Sequence, residues 1–174
     1  MALKQILTEP NKLLREKSLV VESIDEDLQK LMNDMLETMY AAPGIGLAAI
    51  QIGIPKRVIV LDIAPKDGPK NPMFFINPEI IEKSNNNSIY EEGCLSVPGQ
   101  FAEIARPDKC DIQYLNYHGQ PKEIKAEGML ATCIQHEIDH LEGILFIDYL
   151  SKLKKSMIIK KLSNQQKAIE RIVV

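Results

Sequence analysis

The sequence predicts an α+β fold: mixed, mainly antiparallel sheets packed around a central helix, with a long helix before them and another after them. Three observations carry this. Apolar residues recur at helical spacing in three separated stretches. Between the first two, short apolar runs are bounded by Pro, Gly and Asn clusters, as strands are. The stretch from Lys109 to Tyr117 alternates with the period of two that a half-buried strand requires.

Taken in order, Ser23 followed by Glu26 has the form of a capping box. Leu28, Leu31, Met32, Met35 and Met39 then predict a helix from about Asp25 to Tyr40, which Pro43 and Gly44 end. Arg57 to Ile63 and Met73 to Ile81 read as strands, and Ser84 to Ser88 as a turn before the stretch from Tyr90 to Val97. Lys109 to Tyr117 alternates through Cys110, Ile112 and Tyr114 until His118-Gly119 turns the chain. The central helix is expected from about Lys125 to Leu141, with Met129, Cys133, His136 and His140 on one core-facing stripe and Gly143 capping its end. A last helix, about 152–172, carries Leu153, Met157, Ile158, Leu162 and Ile169 on a face opposed by its lysines.

With 174 residues, 45% apolar and 26% charged, the chain suits one globular domain spanning 1–174 rather than a disordered segment. No apolar run approaches the ~20 residues that cross a bilayer, and Met1-Ala2-Leu3-Lys4-Gln5 does not open a secretion signal or a transit peptide. A cytoplasmic protein without membrane contact is therefore expected. Cys94, Cys110 and Cys133 are then thiols or thiolate ligands rather than disulfides. The net charge of −3 conceals an asymmetry. From Ser151 onward seven basic residues face Glu170 alone, so the tail carries +6 and the remainder −9.

The chemistry concentrates in Gln135-His136-Glu137-Ile138-Asp139-His140. Residues four apart on a helix share a face, so both imidazoles can reach one metal ion, and the central helix becomes a metal-binding helix. Glu137 sits about 100° further round, placed to move a proton at a water rather than to ligate. A catalytic divalent metal usually takes a third protein ligand. Two common protease patterns would place it as a His or a Glu downstream, but those positions hold Phe146 and Lys160. His118 lies in a turn and reads as a solvated loop residue. Cys94, in Glu91-Glu92-Gly93-Cys94-Leu95-Ser96, is the better candidate, while Cys110 and Cys133 read as small buried hydrophobes. Gly93 there would let another backbone approach closely.

A third segment, Gly44-Ile45-Gly46-Leu47-Ala48-Ala49-Ile50-Gln51, suggests a backbone packed tightly against a ligand or another strand, with Gln51 as a neutral donor and acceptor. It is not a dinucleotide fingerprint, because Gly53 is followed by Ile54-Pro55 and a strand rather than a helix.

Together, Gly44-x-Gly46-x-Ala48-Ala49-x-Gln51, Glu92-Gly93-Cys94-Leu95-Ser96 and Gln135-His136-Glu137-x-Asp139-His140 closely resemble the three motifs of the peptide deformylases, in the same order. The resemblance implies a metallo-hydrolase of protein biosynthesis that removes the formyl group from the N-terminal formylmethionine of new polypeptides and releases formate. It implies one divalent metal ion on Cys94, His136 and His140. Ligand types alone suggest zinc, whereas the family implies Fe2+ in the cell, with Zn2+ or Ni2+ able to substitute. Glu137 is implied as the proton carrier, with the Gln51 side-chain amide and the Leu95 N–H as donors to the oxygen that gains charge. A methionine pocket is implied at Ile45, Tyr90, Glu92, Met129, Thr132 and Cys133, and Gly44, Gly46 and Gly93 leave room for the peptide. Arg106 is expected to support the site by pairing with Glu92 or Asp139.

The sequence departs from some relatives at Phe101, where they carry a basic residue, which removes a charged contact to the downstream peptide. Charge alone reads the basic C-terminal helix as a solvated face, whereas the resemblance implies that it can contact the ribosome, and the protein is expected to act as a monomer. The two competing readings are a zinc peptidase of the H-E-x-x-H type and a non-enzymatic metal-stabilised binding module. The first lacks its third ligand, and the second has no use for Glu137 and Gln51.

Overall fold

The structure, a computed structural model, describes residues 2–173. A five-stranded antiparallel sheet has the order β1 (Gly46–Ala48), β2 (Val58–Leu61), β3 (Met73–Lys83), β6 (Lys109–Leu115) and β7 (Pro121–Glu127). A separate hairpin pairs β4 (Asn87–Cys94) with β5 (Val97–Pro107). The helices are α1 (Glu26–Ala41), α2 (Gly128–Leu141) and α3 (Lys152–Val173). Among the described residues none is long and apolar enough to cross a membrane.

Both faces of the large sheet are covered, which explains why Val58-Ile59-Val60-Leu61 is apolar throughout instead of alternating. Val58 and Val60 join Leu28, Met32, Met35 and Met39 of α1 in one apolar cluster. Ile59 and Leu61 turn the other way, into a cluster with Ile134, Ile138 and Leu141 of α2. The metal-motif helix is thus the second layer of the core. The hairpin closes a third cluster, where Val97 and Ile104 meet Leu145, Phe146 and Leu162.

Several sequence expectations are corrected. The N-cap of α1 is Asp25, whose side chain accepts from Leu28 N–H at 2.9 Å, so the Ser23–Glu26 box does not form: Ser23 lies two residues ahead of the cap. Residues 125–127 belong to β7 and not to the central helix, because Lys125 and Ala126 pair with Asp111 and Cys110. Gly128, at φ +60°, then bends the chain into α2. Strand β5 went unread because its core-facing row includes Arg106, which breaks the apolar pattern, and Asn87 and Ser88, read as turn, already pair in β4. At the other end of α2 the expected glycine cap is present. Gly143 has φ +74°, Ile144 N–H donates to Asp139 O at 2.9 Å, and a Cβ on Gly143 would collide with the Arg15 carbonyl.

Helix α3 docks differently from its sequence pattern. Leu162 is buried and Ile158 and Ile159 are partly so, with Lys155 bonded to Asp148 at 2.6 Å. Leu153, Met157 and Ile169 face solvent, since the helix touches the body only along the side carrying 155, 158, 159 and 162.

If Asp25 is the cap, Asp25→Ala should lower unfolding free energy by about 1 kcal/mol while Ser23→Ala leaves it nearly unaltered. Urea denaturation of the two variants checks this, and equal losses would restore the Ser23 box.

Candidate metal centre and active site

Three segments converge where β1, the tip of the hairpin and α2 meet. Cys94 Sγ, His136 and His140 offer ligand atoms that all lie within 4.8 Å of one another, with Sγ 3.3 Å from His140 Nε2. Donors around one ion at ordinary zinc or iron distances sit about 3.5 Å apart, so the triangle has the size a single cation needs. One soft sulfur and two imidazoles are also the donor types a transition metal prefers over calcium or magnesium. The residues fit a bound metal.

Electrostatics agree. Burial opposes a charge on His136, yet hydrogen bonds to Cys94 and Glu92 outweigh it and hold this imidazole well above its ordinary range. His140, almost wholly buried and beside His136, is pushed well below its own. The centre of the triangle favours positive charge, but not on both rings.

Behind the ligands runs a buried chain of charge. His136 Nδ1 lies 2.9 Å from Glu92 Oε2, and Arg106 grips the same carboxylate through Nε at 2.6 Å and Nη2 at 3.0 Å. Arg106 Nη1 reaches Asp139 at 2.8 Å, and the guanidinium lies over the Tyr149 ring, whose hydroxyl also donates to Asp139 at 2.7 Å. The support expected of Arg106 is therefore present, on both carboxylates. Desolvation would raise the Glu92 pKa, but its bonds to His136 and Arg106 prevail and hold the carboxyl below the usual range. With both oxygens taken, Glu92 holds the His136 ring in place besides forming part of the cavity wall.

Glu137 lies one step round the helix from His136, as its position requires. Burial pushes its carboxyl up to about 7, against the pull of His136, which suits a group that must accept and release protons near neutrality. Gly46 makes its position possible: a Cβ there would stand 2.8 Å from Leu61 Cδ2 and 2.9 Å from Glu137 Cδ. Gly44 does the same for Leu95, whose Cδ1 would lie 2.7 Å from an added Cβ. The approach expected at Gly93 is made not by a backbone but by the Phe101 ring. Gln51 is locked as well. Its Oε1 accepts from Ala48 N–H at 2.9 Å, and Nε2 donates to Ser96 Oγ at 3.1 Å beside Cys94 Sγ at 3.6 Å.

A cavity of about 460 Å³ opens onto this centre. Gln51, Cys94, Leu95, His136 and Glu137 line its chemical end. Ile45, Gly46, Tyr90, Glu92, Gly93, Met129, Thr132 and Cys133 line the rest. Every predicted site residue is brought together, His140 beside Cys94 and His136 but not on the cavity wall, while His118 stands apart in its exposed turn. None of the three cysteines forms a disulfide.

Sequence reasoning missed the N-terminal strap. Leu7 N–H donates to Gln51 O at 2.7 Å and Glu9 N–H to Ser96 O at 2.8 Å, so one short stretch braces two of the three segments. Backbone-to-backbone bonds of this kind leave no side-chain signal. Ser96 was within a recognised motif, but its partnership with Gln51 depends on tertiary placement.

A buried Cys-His-His centre with an adjacent carboxylate, set on a helix behind a mainly antiparallel sheet, defines a mononuclear metallo-hydrolase. Comparison with known proteins gives the family. The profile "Polypeptide deformylase" matches residues 3–156. The peptide deformylase of Pelagibacter ubique (strain HTCC1062) is 66% identical over 163 residues, covering 94% of this chain and 95% of that protein. That of Phenylobacterium zucineum (strain HLK1) is 56% identical over 168 residues, covering 97% and 99%. The crystal structure of the Ehrlichia chaffeensis peptide deformylase in complex with actinonin superposes with a TM-score of 0.91 at 44% identity, covering 95% of this chain and 98% of that one. The chain belongs to the polypeptide deformylase family, and its activity is the metal-dependent removal of the N-formyl group from nascent peptides.

The charge chain generates a prediction. Glu92→Gln, which keeps the shape but weakens the hold on His136 and leaves Arg106 short of a charge, should lower metal affinity by about 10–100-fold. Competition with a chromogenic chelator measures it, and undiminished affinity would mean that Glu92 does not orient the ligand.

Proposed function

We propose that Cys94, His136 and His140 hold the single divalent metal of this deformylase and that Glu137, Gln51 and Leu95 carry the reaction around it. The observation that bears the reading is the convergence of three ligand atoms within 4.8 Å beside a buried carboxylate. The bound metal supplies Lewis acidity, making a water acidic and polarising the formyl carbonyl. Glu137 takes the proton of the attacking water and delivers it to the departing amine, without which an amide nitrogen is a poor leaving group. The Gln51 amide and the Leu95 N–H donate to the formyl oxygen as it gains charge, each donor contributing about 3–4 kcal/mol on ordinary precedent.

The substrate is an N-formylmethionyl polypeptide lying as an added strand beside Gly44 to Gly46, where the chain enters β1, since β1 ends its sheet. Its methionine side chain enters between Ile45, Tyr90, Met129, Thr132 and Cys133, where a thiol and a thioether give soft walls. Residues 1–174 are read as one catalytic domain, and by family resemblance it works as a monomer in the cytoplasm. Iron as Fe2+ is the metal by family resemblance, with Zn2+ or Ni2+ able to replace it.

Two variants separate binding from chemistry. Cys94→Ala should lose metal and activity together, whereas Glu137→Gln should keep stoichiometric metal while formate release falls by two orders of magnitude or more. A Cys94→Ala protein that retains full metal would remove the thiolate from the ligand set.

The basic tail supports a second element of this reading, contact with the ribosome, where formylated termini emerge. Lys154, Lys160 and Lys161 are exposed on α3, while Lys155 is occupied by Asp148. Replacing Lys154, Lys160 and Lys161 with Glu should abolish salt-sensitive co-sedimentation with ribosomes. Unaltered co-sedimentation would show that the tail is not the anchor.

A further inference from the structure

Away from the cavity, one side chain ties together segments that the proposed reaction does not use. Arg15 ends a short helical turn, Lys12–Arg15. Its guanidinium forks between two carboxylates, with Nη1 donating to Asp148 Oδ2 at 2.6 Å and Nη2 to Glu9 Oε1 at 3.1 Å. Its backbone carbonyl lies against Gly143, which caps α2. Asp148 depends on Arg15 least, because Lys155 at 2.6 Å and the Leu145 N–H at 3.0 Å hold it as well. Glu9 differs. It is 6% exposed, and among the described residues Arg15 is the one cation paired with it.

Glu9 is also where this network meets the site. Its backbone N–H donates to Ser96 O at 2.8 Å, and Ser96 Oγ accepts from Gln51 Nε2 at 3.1 Å. Two residues earlier, Leu7 N–H donates to Gln51 O at 2.7 Å. The strap therefore sets the spacing between Gln51 and Ser96, and that spacing sets the direction of the Gln51 amide. Without Arg15 the Glu9 carboxylate would be a buried charge without a partner, which is costly enough to turn the residue toward solvent. Its N–H, on the same Cα, would leave Ser96 with it.

We propose that Arg15 is a positioning residue: it holds Glu9 inside, and through Glu9 and Ser96 it keeps the Gln51 amide aimed at the formyl oxygen. Arg15 itself lies off the cavity wall. The inference rests on the donor role proposed above for Gln51.

The test is steady-state deformylation of formyl-Met-Ala-Ser by metal-loaded variants, with metal content measured alongside. Arg15→Ala should keep stoichiometric metal while kcat falls about tenfold or more and KM changes little, since a misdirected donor weakens the bond that forms as charge develops. Arg15→Lys, which keeps the charge but not the fork, should fall less. Arg15→Ala with Glu9→Gln should recover most of the loss, because the amide removes the unpaired charge. In a Gln51→Ala background, Arg15→Ala should cost less than about twofold further, as two changes to one donor do not add. Should the alanine variant not fold, Arg15→Lys supplies the same comparisons. An undiminished kcat in the Arg15 variants, no rescue by Glu9→Gln, or the full cost repeated in the Gln51→Ala background would overturn the proposal and leave Arg15 as a brace of the fold alone. Undiminished kcat in Gln51→Ala itself would refute the donor role, and this inference would fall with it.

Discussion

The buried carboxylate of Glu92 is the constraint on which the site depends. It sits on the inner face of the hairpin, 6% exposed, where a charge without partners would cost several kcal/mol. Arg106, two strand positions from Ile104 on the same face, supplies a two-pronged partner, and His136 supplies the remaining bond. The consequence travels outward. With Nδ1 committed to Glu92, His136 presents its other nitrogen toward Cys94 and His140, which fixes both the ring plane and the nitrogen offered for ligation. Arg106 is held in turn by Asp139, three residues along α2 from His136, so hairpin and helix cannot shift independently. Removing one member of such a chain leaves the others buried and uncompensated, a loss of about 3–5 kcal/mol on ordinary precedent.

A second level of organisation is steric. The Gly44 to Gln51 segment brings no ligand, and its glycines act by what they leave vacant. Leu95, next to Cys94, packs over Gly44, and Glu137, next to His136, packs over Gly46. The three motifs thus interlock pairwise around β1. The strap formed by Leu7 and Glu9 closes the arrangement from behind by holding Gln51 and Ser96 through their carbonyl oxygens. A site built in this way owes its precision to close packing, which holds even the hairpin turn at Leu95 and Ser96 in place, as hydrolysis of a linear amide requires of donors that must not reorganise.

Much of this was legible in the sequence, for definable reasons. Periodicity exposed α1, α2 and α3, and the His136–His140 spacing located the ligands on one helix face, because helical geometry is local. Motif order pointed to Cys94 as the third candidate ligand, which ligand chemistry alone only favoured. What stayed hidden depends on tertiary pairing. Lys125 to Glu127 have residues a helix accepts, and only pairing with β6 makes them a strand. Strand β5 carries Arg106 on its inner face, so the alternation that marks a strand is broken by the very residue that supports the metal site. Leu153, Met157 and Ile169 lie on a regular apolar stripe, yet the body offers α3 a contact surface only beside Ile158 and Leu162.

The proposed site holds a single metal on one sulfur and two imidazole nitrogens in front of Glu137. X-ray absorption at the metal edge of protein purified without oxygen tests it most directly, because it reads both the element and its nearest neighbours. About one equivalent of iron is expected, with one sulfur and two imidazole nitrogens in its first coordination sphere. A sphere of nitrogen and oxygen atoms with no sulfur would contradict it, whichever metal were found.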